Sequence, residues 1–137
     1  MDAEVAAFSR RWHEAVAARD VDGLLELLSD EPTLGAPPYW QPLEGRALVH
    51  HLLGIIVQTI DGFTYHREWV NGRELALEFR GSVDGLDLQG IDLVTLDEAG
   101  RLSNLDVMIR PLNAVEALMK HVRPRMLAFL EAQASSG

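Results

Sequence analysis

Glu74-Leu75-Ala76-Leu77-Glu78-Phe79-Arg80-Gly81-Ser82-Val83-Asp84-Gly85-Leu86-Asp87-Leu88-Gln89-Gly90-Ile91-Asp92-Leu93-Val94-Thr95-Leu96-Asp97 holds two alternating runs joined by Asp84-Gly85, a dipeptide suited to a tight hairpin turn. Alternation puts Leu75, Leu77 and Phe79 on one face and Glu74, Glu78 and Arg80 on the other. In the second run Leu88, Gly90, Asp92, Val94 and Leu96 share a face, so one acid stands in an otherwise apolar or small row. Similar runs flank the pair: residues 63–70 before Asn71-Gly72, and residues 101–110 after Asp97-Glu98-Ala99-Gly100. On the last run Leu105, Val107 and Ile109 oppose Asp106, Met108 and Arg110. The pattern predicts an antiparallel meander over 63–70, 74–83, 87–97 and 101–110, with the apolar rows facing inward.

Upstream the period changes. Val5, Phe8, Trp12, Ala15 and Val16 recur at helical spacing over residues 3–19. Asp20 or Asp22 caps a short second helix, 23–28, which Ser29-Asp30-Glu31-Pro32 ends. Gly35-Ala36-Pro37-Pro38-Tyr39-Trp40-Gln41-Pro42 holds three prolines, which bar a helix and confine any strand to a sheet edge. Gly45-Arg46 opens a third helix, 47–59, closed by Asp61-Gly62. After Pro111, helices are predicted over 112–121 and 124–134, a C-terminal helical tail. Helices first and strands after predict a single α+β domain over 1–137, with helices packed on one face of the sheet.

The chain length of 137 residues suits one hydrophobic core and is short for two. A formal net charge of −9 argues against a nucleic-acid partner, whose phosphates need a basic surface. The lack of cysteine removes disulfides and thiolate sites and makes a cytoplasmic location the simplest expectation. Met1-Asp2-Ala3-Glu4 lacks the basic-then-apolar order of a signal peptide. The most apolar stretch, 48–60, carries His50, His51 and Gln58, so no membrane span is expected. With no His-x-x-x-His pair, Gly-rich phosphate loop or serine nucleophile elbow, neither a metal nor a cofactor is expected.

Three segments carry a family resemblance: residues 20–28 (Asp-Val-Asp-Gly-Leu-Leu-Glu-Leu-Leu), Glu44-Gly45-Arg46, and residues 91–102 (Ile-Asp-Leu-Val-Thr-Leu-Asp-Glu-Ala-Gly-Arg-Leu). In that order they resemble the SnoaL-like, ketosteroid-isomerase-like branch of the nuclear transport factor 2-like superfamily. The resemblance implies a cone-shaped, cystatin-like fold, with helices on a strongly curved antiparallel sheet. It also implies a deep pocket at the open end and a homodimer across the sheet's outer face. Asp92 resembles the aspartic acid that ketosteroid isomerase keeps protonated to hydrogen-bond a developing enolate. The isomerase's general base falls at Ala36 and its oxyanion-hole tyrosine at about Trp12. The catalytic aspartate of limonene epoxide hydrolase and of the SnoaL cyclase falls at Val107.

Candidate site residues follow. Asp92 is the first catalytic candidate, because desolvation favours a neutral carboxyl able to donate a hydrogen bond. His66 is the second, as base or proton shuttle. If Asn71-Gly72 closes a two-residue hairpin, His66 lies opposite Leu77 on the pocket side, and Glu68 shares its face; a three-residue loop turns both outward. Leu77, Phe79, Leu105, Val107 and Ile109 are expected to line the pocket. Tyr39 and Trp40 are expected to form its lid or wall. Trp12 is counted with the walls, although its helical spacing with Phe8 and Val16 also fits the core beneath.

Two functions suit this picture. One is a cofactor-independent isomerase, cyclase or epoxide hydrolase acting on a hydrophobic carbonyl compound or epoxide. The other is a non-catalytic ligand-binding or accessory dimeric module. A third arrangement, a purely structural domain, predicts a pocket filled by Met126, Phe129 and Leu130.

Overall fold

The computed structural model describes residues 2–136. Helix α1 (Ala3–Ala18) starts where the Asp2 carboxylate accepts the Glu4 amide at 2.7 Å, and it ends at Arg19 in the left-handed region. Its buried stripe is Val5, Phe8, Ser9, Trp12, Ala15 and Val16. Asp20 caps α2 (Val21–Leu27) by accepting the Gly23 amide at 3.0 Å. Helix α3 (Arg46–Thr59) begins at Gly45, whose φ of 102° suits glycine.

The expected meander is β3 (Asp61–Asn71), β4 (Glu74–Val83), β5 (Leu86–Leu96) and β6 (Leu102–Arg110). Two further strands, β1 (Leu28–Gly35) and β2 (Leu43–Glu44), complete a sheet of order β2-β1-β6-β5-β4-β3. All pairs are antiparallel except β1 with β6, which is parallel, so the sheet is mixed. Residues 29–32, expected only to end a helix, lie within β1. Its pairing with β6 shifts between Leu28 and Thr33, and the exposed Asp30 and Glu31 break the alternation that would mark a strand.

The C-terminal tail is one helix, α4 (Leu112–Ser136), where two were expected. Pro124 lies inside it and removes one amide donor. Val122 and Met126 on either side still pack against the core cluster, which carries the helix through. The helices bury their apolar stripes against Leu75, Leu77, Phe79, Leu88, Val94, Leu105 and Val107, the inner rows read from the sequence. No helix among the described residues is long and apolar enough to cross a membrane.

Candidate functional site

Asp92 sits on the inner face of β5, only 5% exposed, with Leu77 and Val107 as its cross-strand neighbours. The Tyr65 hydroxyl donates to Asp92 Oδ2 at 2.6 Å, and Trp12 Nε1 donates to the same hydroxyl at 2.9 Å. Burial pushes the Asp92 carboxyl up to about 7, against the pull of the Tyr65 hydrogen bond. Burial, and then the nearby Asp92 charge, raise the Tyr65 phenol well above its usual value. Around this chain stand Phe63 and Phe79, stacked with centroids 4.7 Å apart, and Phe8 stacked on Trp12 at 5.6 Å. Gly90 leaves the room these rings need: a Cβ there would run into the Phe79 ring and the Met108 carbonyl.

A second acid faces the same side. Glu68 accepts from Ser9 Oγ at 2.6 Å and lies 3.4 Å from His13 Nε2, and the His13 ring meets Tyr65 edge-on at 5.0 Å. His66 does not take part. The β3–β4 loop is Gly72-Arg73, one residue later than expected, so Glu68 faces Leu77. A bulge between Tyr65 and Arg67 then turns Tyr65 inward opposite Phe79 and leaves His66 exposed. The pocket-side placement of His66 is therefore corrected, and Tyr65 occupies that side. Tyr65 is a residue that strand alternation alone misses. The available signal was a conflict of parity: Phe63 and Tyr65 share one phase, Glu68 and Val70 the other, and only an extra residue lets both face inward.

The open space lies elsewhere. A cavity of about 470 Å³ is bounded by α3, α4, β6 and the loop 35–42; its walls include Ala36, Leu52, Ile56, Val107, Ile109 and Met126. Of the residues expected to form pocket walls, Tyr39, Val107 and Ile109 line this cavity. Trp12, Leu77, Phe79 and Leu105 do not, being buried 98% or more in the core between α1 and the sheet. Trp12 reaches the Tyr65 hydroxyl over Asp92 and Phe79 stacks on Phe63, so this part of the core is closed. Trp40 is 94% exposed and lies outside the wall, turned out by the proline loop. Asp92 is not part of the lining, but its neighbour Val107 is. Met126 and Leu130 border the cavity without filling it, and Phe129 stacks on His51 at 4.0 Å.

Among the described lining residues there is no carboxylate and no histidine. Ala36 and Val107, the positions at which the resemblance puts catalytic carboxylates, are apolar wall. Chemically the cavity can desolvate and hold an apolar body. Among its described lining residues the only ionisable groups are the Tyr39 phenol and the Arg123 guanidinium. Among the described residues no three His, Cys, Asp or Glu side chains group to hold a metal ion.

Similarity to known proteins agrees with this architecture. The SnoaL-like domain family matches residues 9–105. A crystal structure of a steroid delta-isomerase from Pseudomonas aeruginosa is 32% identical, with a TM-score of 0.89 over 96% of this chain and 97% of that one. An uncharacterized bacterial protein with a cystatin-like fold from Silicibacter pomeroyi DSS-3 is 34% identical, with a TM-score of 0.81 over 93% and 88%. A nuclear transport factor 2-like protein of unknown function from Mesorhizobium loti, 20% identical with a TM-score of 0.71 over 79% and 92%, shares the fold. No curated protein matches the chain at a significant level. On the family match and the two relatives above 30% identity, the chain belongs to the SnoaL-like family and has the nuclear transport factor 2-like, cystatin-like fold.

Proposed function

We propose that the protein binds a small hydrophobic organic molecule in the cavity between α3, α4, β6 and the proline loop. One observation carries this reading: an apolar space of about 470 Å³ stands open in the fold. Small-molecule sites commonly span about 300–1,000 Å³ with mostly apolar walls and few polar groups. With no carboxylate and no histidine among the described lining residues, the cavity suits holding an apolar body better than proton transfer. The test is displacement of a neutral fluorophore, N-phenyl-1-naphthylamine. Wild type binds it, and Ile56→Trp, which fills the cavity, loses at least tenfold in affinity while keeping its fold. Absence of binding by the wild type overturns the reading.

A second reading, turnover, rests on Asp92. A carboxyl at about 7 is partly protonated at neutral pH, and Val107, the cross-strand partner of Asp92, is part of the cavity wall. An oxygen-bearing ligand passing Val107 would meet a hydrogen-bond donor in a dry setting, able to stabilise a developing enolate. The steroid delta-isomerase relative makes a β,γ-unsaturated ketone the substrate to try. Conversion to the conjugated ketone, followed by ultraviolet absorbance and abolished in Asp92→Asn, supports this reading. Binding without product leaves the module.

We also propose a homodimer through the outer sheet face, where Trp69 of β3, Leu93 of β5 and Met108 of β6 stand exposed.

A further inference from the structure

The cavity wall carries a single formal charge among its described residues. Arg123, on α4 between the buried Val122 and the half-buried Met126, lines the space while remaining exposed to water. No described residue forms an ion pair or hydrogen bond with its guanidinium, a state it shares with Arg10, Arg19, Arg101 and Arg125, whereas Arg67, Arg73 and Arg80 each hold a carboxylate. Two other exposed residues of the wall, Tyr39 and Gln41, carry further hydrogen-bond donors and no formal negative charge. Leu127 and Leu130, which also line the cavity, are 58% and 46% exposed, so the apolar wall runs out to the solvent boundary.

We propose that the ligand is an amphiphilic monocarboxylate, its apolar body inside the cavity and its carboxylate on the Arg123 guanidinium at the rim. This rests on the cavity being a binding site and adds the chemistry of one end of the ligand. The planar guanidinium matches a carboxylate with two parallel hydrogen bonds, a stronger and more selective arrangement than a point charge gives. The whole chain carries a formal charge of −9, so long-range attraction does not bring an anion here. Selectivity has to come from this local cation beside a dry wall. Among the arginines without a carboxylate partner, Arg123 is the one that lines the cavity, and that position makes it the candidate recognition group.

The probes are acids paired with their methyl esters, which share the body and lack the charge. Dodecanoate with methyl dodecanoate tests a chain-like body, and 1-pyrenebutyrate with its methyl ester tests a fused-ring body. Each competes with N-phenyl-1-naphthylamine below its micellar concentration. The expected result is that at least one acid displaces the fluorophore about tenfold better than its ester at low salt, with the preference shrinking as salt rises. Arg123→Gln should remove that preference by weakening the acid far more than its ester, because the change takes away the charge and keeps most of the side chain's bulk. Arg123→Glu should favour dodecylamine over dodecanoate. Esters binding as well as acids in both pairs overturns the carboxylate inference and leaves the hydrophobic site standing. Failure of every compound and of the fluorophore itself overturns the site. An acid preference that survives Arg123→Gln places the anion's partner elsewhere and overturns the assignment to Arg123.

Discussion

The Tyr65 phenol reaches across β4 from β3 and donates a 2.6 Å hydrogen bond to Asp92 on β5, while Trp12 of α1 donates to the same phenol oxygen. Three elements distant in sequence thus close over one carboxyl. The hydrogen bond favours the ionised acid and partly opposes the effect of burial.

Tyr65→Phe removes that donor and leaves the Trp12 indole N–H without its acceptor. The Asp92 midpoint should move further above about 7, read from its carboxyl carbon shift in a nuclear magnetic resonance titration. The orphaned buried donor should cost about 1–3 kcal/mol in urea denaturation. A midpoint that stays or falls contradicts the account.

Asp92 also makes stability depend on pH. Its folded value, about 7, exceeds the ordinary 3.8, so between them the folded chain holds a proton that the unfolded chain has released. Stability from this group therefore falls as pH rises from about 4 to about 7, by roughly 4 kcal/mol from the size of the shift. Asp92→Asn should flatten that decline and be the more stable protein at pH 8. Parallel wild-type and variant curves would count against a perturbed acid.

Glu78 has the opposite sign. It is 1% exposed on the outer sheet face, held by Arg67 at 3.0 Å, by Gln89 and by Arg80 at 3.3 Å, and its carboxyl is lowered from 4.5 to about 2. Its contribution is present above 4.5 and is lost as pH falls toward 2. Glu78→Gln should be less stable at pH 7 and should show a shallower acid limb in thermal melts from pH 5 to 2. An equally steep limb would place acid sensitivity in other groups.

Gly90→Ala tests the packing above the acid. The added methyl would press on the Phe79 ring and the Met108 carbonyl, and a closed aromatic cluster yields only by moving. The expected cost is about 1–3 kcal/mol, with changed near-ultraviolet circular dichroism. A neutral effect would mean that the ring has room to shift.

The proposed homodimer predicts two chains per particle in sedimentation. Leu93→Arg, placing charge at the middle of the outer face, should shift the particle toward one chain without lowering the monomer's helix content. A wild type that sediments as one chain at high concentration removes the proposal.

The meander and its facing were readable because the information is local. Asp84-Gly85 marks its turn and Asn71-Gly72 marks one that falls a residue later, while alternation from Leu75 to Phe79 and from Leu88 to Leu96 puts those rows inside, as the structure shows. Strand β1 was unreadable because its pairing with β6 shifts register and hides its period. The continuity of α4 through Pro124 was hidden for a different reason: packing on both sides of the proline outweighs its local preference to end a helix.

Sequence alone established the α+β order, the inward face of β5 and an acid at its centre, since turn chemistry and period-two alternation act between near neighbours. Whether that acid meets open space lay beyond it. A one-residue bulge at His66 exchanged which side chain of β3 points inward, and Trp12 and Tyr65 then filled the volume over Asp92. The cavity opened instead against α4, because an empty volume belongs to no residue and is what remains after distant elements have packed.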